Sequence, residues 1–165
     1  MKTNWEFIAE CLRQELAEYG GLLHLFENQQ RSLFDRDPDA VLHLGIEIET
    51  QARTLSECRA RREEAVAAFA TEHDRPATTS LRAMLPLIAE DARPLLEALI
   101  NQVNAVLHRV RRTSRHNHTL LSRAVEVHQE TLQQLRPHSF TKTYSSAGRL
   151  SMTTTQVSST LRVAG

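Results

Sequence analysis

The chain of 165 residues sets 20 lysines and arginines against 20 aspartates and glutamates and so carries no formal net charge at pH 7. That balance gives no whole-chain reason to expect nucleic acid or an anionic membrane as partner, and the length suits one domain. Glycine and proline are scarce at five each and aromatics make up 5%, leaving a chain rich in unbranched side chains that lose little rotamer freedom in a helix.

The first predicted helix opens at a capping box, Thr3 capping and Glu6 reaching back. Its apolar stripe is Trp5, Ile8, Leu12, Tyr19, Leu22, Phe26 and Leu33, with Leu16 and Leu23 beside it and Glu15 and Gln29 as polar members. The stripe keeps its phase across Gly20-Gly21. The pair therefore predicts a soft point in one helix, at a cost of about 1 kcal/mol per glycine, rather than a break. Asp35-Arg36-Asp37-Pro38 ends this helix; Asp37 suits the N-cap of the next and Pro38 its first position. The second helix is expected from about Pro38 to about Thr71, on a stripe of Val41, Leu44, Ile48, Ala52, Leu55, Cys58, Ala65 and Phe69. Arg62 falls on that stripe and the face from Ala65 to Ala68 is thin, which predicts a splayed or less buried end. His73 to Pro76 reads as a linker, and Thr78 or Thr79 as the cap of a short helical piece around Leu81 to Leu87.

The longest element is expected from about Pro94 to Arg136, roughly 60 Å at 1.5 Å per residue. Leu96, Leu99, Val103, Val106, Val110, Thr113, Asn117, Leu120, Ala124, Val127 and Thr131 hold an unbroken 3-4 repeat, the pattern of coiled-coil-like packing against the first two helices. Thr113 and Asn117 are polar seam positions that either fix register or mark a locally exposed seam. A second apolar row, Leu121, Val125, His128, Leu132 and Leu135, runs beside the main stripe. It is either part of a wide core-facing stripe or a docking surface for a helix of another protein. Pro137 stops the helix. The segment from Ser139 to Thr160 is rich in Ser and Thr and has no carboxylate side chain, so it cannot bury enough to offset its ordering entropy. The fold class is thus all-α: a long antiparallel coiled-coil-like bundle of three long helices plus a short one over residues 1–137, then a flexible tail over residues 138–165.

Chemistry is sparse. Cys11 and Cys58 are isolated and sit where buried residues are expected, which predicts reduced, inert thiols. The N-terminal residues lack a signal-peptide apolar region and no run of roughly 18 apolar residues occurs, so a cytoplasmic protein without membrane insertion is expected. His116 and His118 point about 200° apart on a helix and cannot share an ion. No P-loop, dinucleotide, zincin or serine-hydrolase motif is present; neither an enzyme nor a cofactor is expected. Arg109, Arg111, Arg112 and Arg115 form a basic cluster, but without stacking aromatics or a recognition motif it reads as a solvated face pairing with acids of a neighbouring helix rather than a nucleic-acid site.

Asn117-His118-Thr119-Leu120-Leu121, then His128 through His138 with Leu132, Leu135 and Pro137, then Tyr144-Ser145-Ser146-Ala147-Gly148-Arg149 together resemble the C-terminal half of FlgN-type flagellar export chaperones. In that family a long last helix carries an Asn followed by a Leu-Leu pair and ends in Leu-x-x-Leu-(Lys/Arg)-Pro. A Tyr-x-x-x-Gly-(Arg/Gln) element follows in a flexible tail. The specific match covers roughly the last third of the chain. The resemblance implies a cytoplasmic chaperone that binds C-terminal helical segments of hook-associated (hook–filament junction) proteins and passes them to the flagellar type III export gate. It implies a cargo face at Asn117, Leu121, Val125, Leu132 and Leu135. It also implies contact of Tyr144, with Gly148 and Arg149, with the export gate's cytoplasmic domain. A structural coiled-coil adaptor that buries Leu121, Val125 and Leu132 in its own homodimer is the alternative.

Overall fold

Four helices and two strands make up the computed structural model, which describes residues 4–135, 140–144 and 150–154. Helix α1 spans Asn4–Phe34, α2 Pro38–Glu72, the short α3 Leu81–Met84 with a 3-10 turn at Leu85–Leu87, and α4 Arg93–Leu135; β1 (Phe140–Tyr144) and β2 (Leu150–Thr154) follow. Two compact units are formed, Met1–His118 and Thr119–Gly165. The division falls inside α4, not at Pro137 where the composition changes.

Helix α1 runs unbroken through Gly20 and Gly21, as the continuous phase predicts. The exits of α1 and α2 share one geometry. Arg36 and Asp74 take left-handed backbone, with φ of 55° and 54°. Asp37 N–H donates to the Ser32 carbonyl (3.0 Å) and Arg36 N–H to Leu33 (3.3 Å); likewise Arg75 N–H donates to Ala70 (2.9 Å) and Asp74 N–H to Thr71 (3.2 Å). Each pair of bonds closes a helix end by satisfying carbonyls that have no partner within the helix. Asp37 then caps α2, its carboxylate accepting from Ala40 N–H at 3.1 Å. The cap of α3 is Ser80, whose hydroxyl accepts from Ala83 N–H at 3.3 Å, and not Thr78 or Thr79. An N-cap must directly precede the first helical residue, and that residue is Leu81. Thr3 lies outside the described residues.

In the first unit α1 and α2 form an antiparallel hairpin whose inner faces share one core with Leu96, Leu99, Val103 and Val110 of α4. Burying such side chains contributes about 1.5–3 kcal/mol each. Polar seam residues meet one another. Glu15, buried on α1, accepts from Arg62 Nε of α2 at 2.6 Å. Asn117 of α4 donates through Nδ2 to the Phe26 carbonyl (2.7 Å) and to Gln29 Oε1 (3.1 Å) of α1.

Two expectations for α2 are corrected. Its C-terminal end is not splayed: Val66, Phe69 and Ala70 are buried, and Leu81, Met84, Ile88 and Ala92 join them in the same core. Arg62 stays on the seam because Glu15 neutralises it. Ala52 is exposed and Gln51 takes its place, half-buried. The Gln51 amide lies over Gly21, where a Cβ would approach its Nε2 to 3.3 Å. It donates to the Glu18 carbonyl (3.1 Å) and carboxylate. A side chain at Gly21 would have to displace that amide by a few tenths of an ångström.

In the second unit residues 119–135 continue α4, and β1 pairs antiparallel with β2, Phe140 opposite Thr154 and Tyr144 opposite Leu150. A reading based on Ser and Thr content does not anticipate this pairing. The signal lies in the alternation Phe140-Thr141-Lys142-Thr143-Tyr144, where β-branched threonines flank aromatic positions.

Candidate interaction surface

Large apolar side chains face solvent along the last turns of α4. Val125, Val127, Leu132 and Leu135 are 53%, 58%, 50% and 73% exposed, and Leu121 is half-buried. At 100° per residue Leu121, Val125, His128, Leu132 and Leu135 fall within an arc of roughly 80°, and Leu120, Ala124, Val127 and Thr131 widen it to about 160°. Ser122, Arg123, Glu126, Gln129, Glu130, Gln133 and Gln134 occupy the remainder. Thr131 returns its hydroxyl to the Val127 carbonyl at 2.8 Å, which satisfies that donor within the helix. Such an arc holds no nucleophile, acid–base pair or ligand set. What it can do is exclude water against another apolar helix face.

Of the residues assigned to a cargo face, Leu121, Val125, Leu132 and Leu135 lie together in this arc, while Asn117 does not belong to it. Asn117 is 1% exposed and holds α4 against α1 through its two donated bonds, so it is corrected to a register residue of the first unit. Its Oδ1 is buried without a partner among the described residues. Tyr144 stands at the end of β1, paired in register with Leu150; Gly148 and Arg149 lie outside the described residues.

The other candidates resolve into ordinary roles. Arg109 pairs with Glu27 at 3.6 Å, as a solvated basic face should. His116 shares a hydrogen bond with Gln30 at 2.7 Å. Among the described residues no three His, Cys, Asp or Glu side chains gather as a metal site requires. Cys11 and Cys58 are free and buried. Burial pushes both thiols above their ordinary range, against the pull of Arg61. A cleft of about 340 Å³ between α1 and α2 is lined by Phe7, Arg61, Glu64, Ala65 and Ala68; Arg61 is engaged with Gln14 at 3.2 Å. None of the described helices is long and apolar enough to cross a membrane.

Sequence reasoning missed a second apolar patch around the α1–α2 turn, where Phe34, Leu42 and Ile46 are 67%, 69% and 68% exposed. Leu42 and Ile46 stand one turn apart and off the main stripe of α2, and that was the available signal.

Neither a comparison with curated proteins nor one with solved structures found a match. A family model described as FlgN protein matches residues 1–152, which takes in all four helices, β1 and the first part of β2. The chain belongs to the FlgN family.

Proposed function

We propose that this protein is a cytoplasmic chaperone that covers the amphipathic C-terminal helical segments of hook-associated proteins and hands them to the flagellar export gate. FlgN proteins are flagellar export chaperones, and membership supports the general role. The observation that carries the finer reading is the apolar arc of α4 with Val125, Leu132 and Leu135 half or more exposed. A cargo segment prone to self-association needs a complementary apolar face and no catalysis. Tyr144, with Gly148 and Arg149, is the proposed contact for the gate's cytoplasmic domain, since a Tyr offers a rigid ring and a hydroxyl to a small interface.

Titration calorimetry with purified components tests both halves. Leu132→Glu should weaken binding of a hook-associated C-terminal segment by roughly 1.5–3 kcal/mol, about ten- to a hundredfold, with thermal stability nearly unchanged. Global unfolding of that variant would make the row core and defeat the cargo assignment. Tyr144→Ala should keep cargo affinity and abolish affinity of the loaded complex for the gate domain; unchanged gate affinity would refute the tail contact. If sedimentation shows a tight dimer that Leu132→Glu dissociates while cargo never binds, the protein is a structural adaptor.

A further inference from the structure

The register of β1 and β2 gives their ribbon two unlike sides. Directly opposed residues of an antiparallel pair share a side, and successive residues of one strand alternate between sides. Phe140, Lys142 and Tyr144 therefore share one side with Leu150, Met152 and Thr154, while Thr141, Thr143, Ser151 and Thr153 share the other. Every large apolar residue of the two strands falls on the first side, and the second consists of Ser and Thr alone. An isolated two-stranded ribbon is at best marginally stable in water, and packing against a helix supplies what it lacks. The compact unit Thr119–Gly165 contains both the ribbon and the end of α4. Among the described residues of that unit, the arc of Leu121, Val125, Leu132 and Leu135 is the other apolar surface.

We infer that the ribbon is a cover for this arc: its apolar side closes over α4 between Leu121 and Leu135 and competes there with cargo. The competition rests on the arc being the cargo face, as proposed above; the closure does not. Dimensions suit it. Each five-residue strand extends about 17 Å at 3.4 Å per residue, against about 21 Å of α4 between Leu121 and Leu135 at 1.5 Å per residue. The chain from Leu135 to Phe140 can span roughly 17 Å, more than the ~10 Å between packed layers, so it can double back. A lysine at position 142 does not oppose closure, because a lysine stem is apolar and its ammonium can reach water. Val125, Leu132 and Leu135 are half or more exposed, so the structure holds the open form, in which the arc is available. A tether this short keeps the ribbon at an effective concentration in roughly the millimolar range. A second copy of the chain meets the arc only at its bulk concentration, which is far lower. The ribbon therefore occupies the arc through a weak contact when cargo is absent, and a tightly binding cargo displaces it.

Two measurements on the full chain test this, one of them without cargo. A nitroxide attached through Thr143→Cys sits on the Ser/Thr side of the ribbon, and Cys11 and Cys58 are buried, so the label goes to the new thiol. In the cargo-free protein it should broaden the methyl resonances of Val125, which lies well before the end of α4. Phe140→Thr with Met152→Thr removes apolar bulk while keeping residues suited to a strand, and it should abolish that broadening. The same pair should strengthen binding of a hook-associated C-terminal segment about three- to tenfold in calorimetry, because the closed fraction no longer competes. Thr141→Gln with Thr153→Gln, on the other side, should change neither reading. Val125 left unbroadened in the cargo-free protein would overturn the closure. Cargo binding that weakens in the Phe140 and Met152 variant would overturn the competition and make the ribbon part of the cargo site. Equal effects from the two pairs of changes would overturn the assignment of sides. Cargo that binds neither the parent nor the variant would defeat the chaperone reading, and the broadening would still decide whether the ribbon closes.

Discussion

Glu15 and Arg62 meet at 2.6 Å with side-chain exposures of 2% and 22%, and their geometry decides what a substitution costs. Arg62→Ala leaves a buried carboxylate without its counter-charge, a loss expected near 3–5 kcal/mol in urea denaturation. Glu15→Leu combined with Arg62→Met should recover most of it, because replacing both partners removes two desolvation penalties. Additive losses in the double variant would contradict this. The thiols of Cys11 and Cys58 and the Tyr19 hydroxyl make a second test. Burial raises all three above their ordinary values of 9.0, 9.0 and 10.0. An acid raised on folding supplies stability that is complete below the unfolded value and is lost as pH climbs past it. Folding free energy should therefore be flat with respect to these groups at neutral pH and fall above about pH 9. Iodoacetamide should label the thiols slowly in the native protein and fast in urea; fast native labelling would show that the helices open where the cysteines sit.

At the scale of the helix, adjacent glycines have different consequences. A Cβ at Gly20 meets nothing within 4 Å, whereas at Gly21 it comes to 3.3 Å from the Gln51 amide. Gly20→Ala should stabilise by about 1 kcal/mol, the helix-propensity difference. Gly21→Ala should gain less or lose, because the amide must leave the Glu18 carbonyl. Melting temperatures of the two variants check the contrast. Periodicity made most of the helical frame legible: the Asp37-Pro38 boundary, the continuity of α1, and the stripe of α4 as far as Asn117. It also located Glu15, Gln29, Arg62 and Asn117 as polar seam positions. Periodicity on one helix carries no information about the facing one, so the pairings of Glu15 with Arg62 and of Gln29 with Asn117 emerge only from the fold. The same limit explains Ala52. Whether Gln51 or Ala52 turns inward depends on Gly21 across the hairpin, and the buried end of α2 depends on the segment that follows it. The candidate surface was half legible: the second row of α4 stood out by spacing, but whether it met core or solvent required the structure.

For the whole molecule, belonging to the FlgN family supports an export chaperone's role, and the exposed apolar arc of α4 is the surface proposed to serve it. The uneven placement of charge among the helices has a further consequence. A protein whose sequence pI is about 7.1 has almost no net repulsion between copies near neutrality. Within the first unit α1 and α2 carry more carboxylates than arginines and α4 more arginines than carboxylates, so that unit carries an electric dipole, and dipoles attract at short range whatever their total charge. The second virial coefficient of the purified protein should thus be negative at low ionic strength near pH 7 and climb towards zero as salt shortens the reach of that attraction. Solubility should rise with it. A coefficient that grows more negative with salt would mean that contact between apolar arcs, not the dipole, governs how copies of this chain meet.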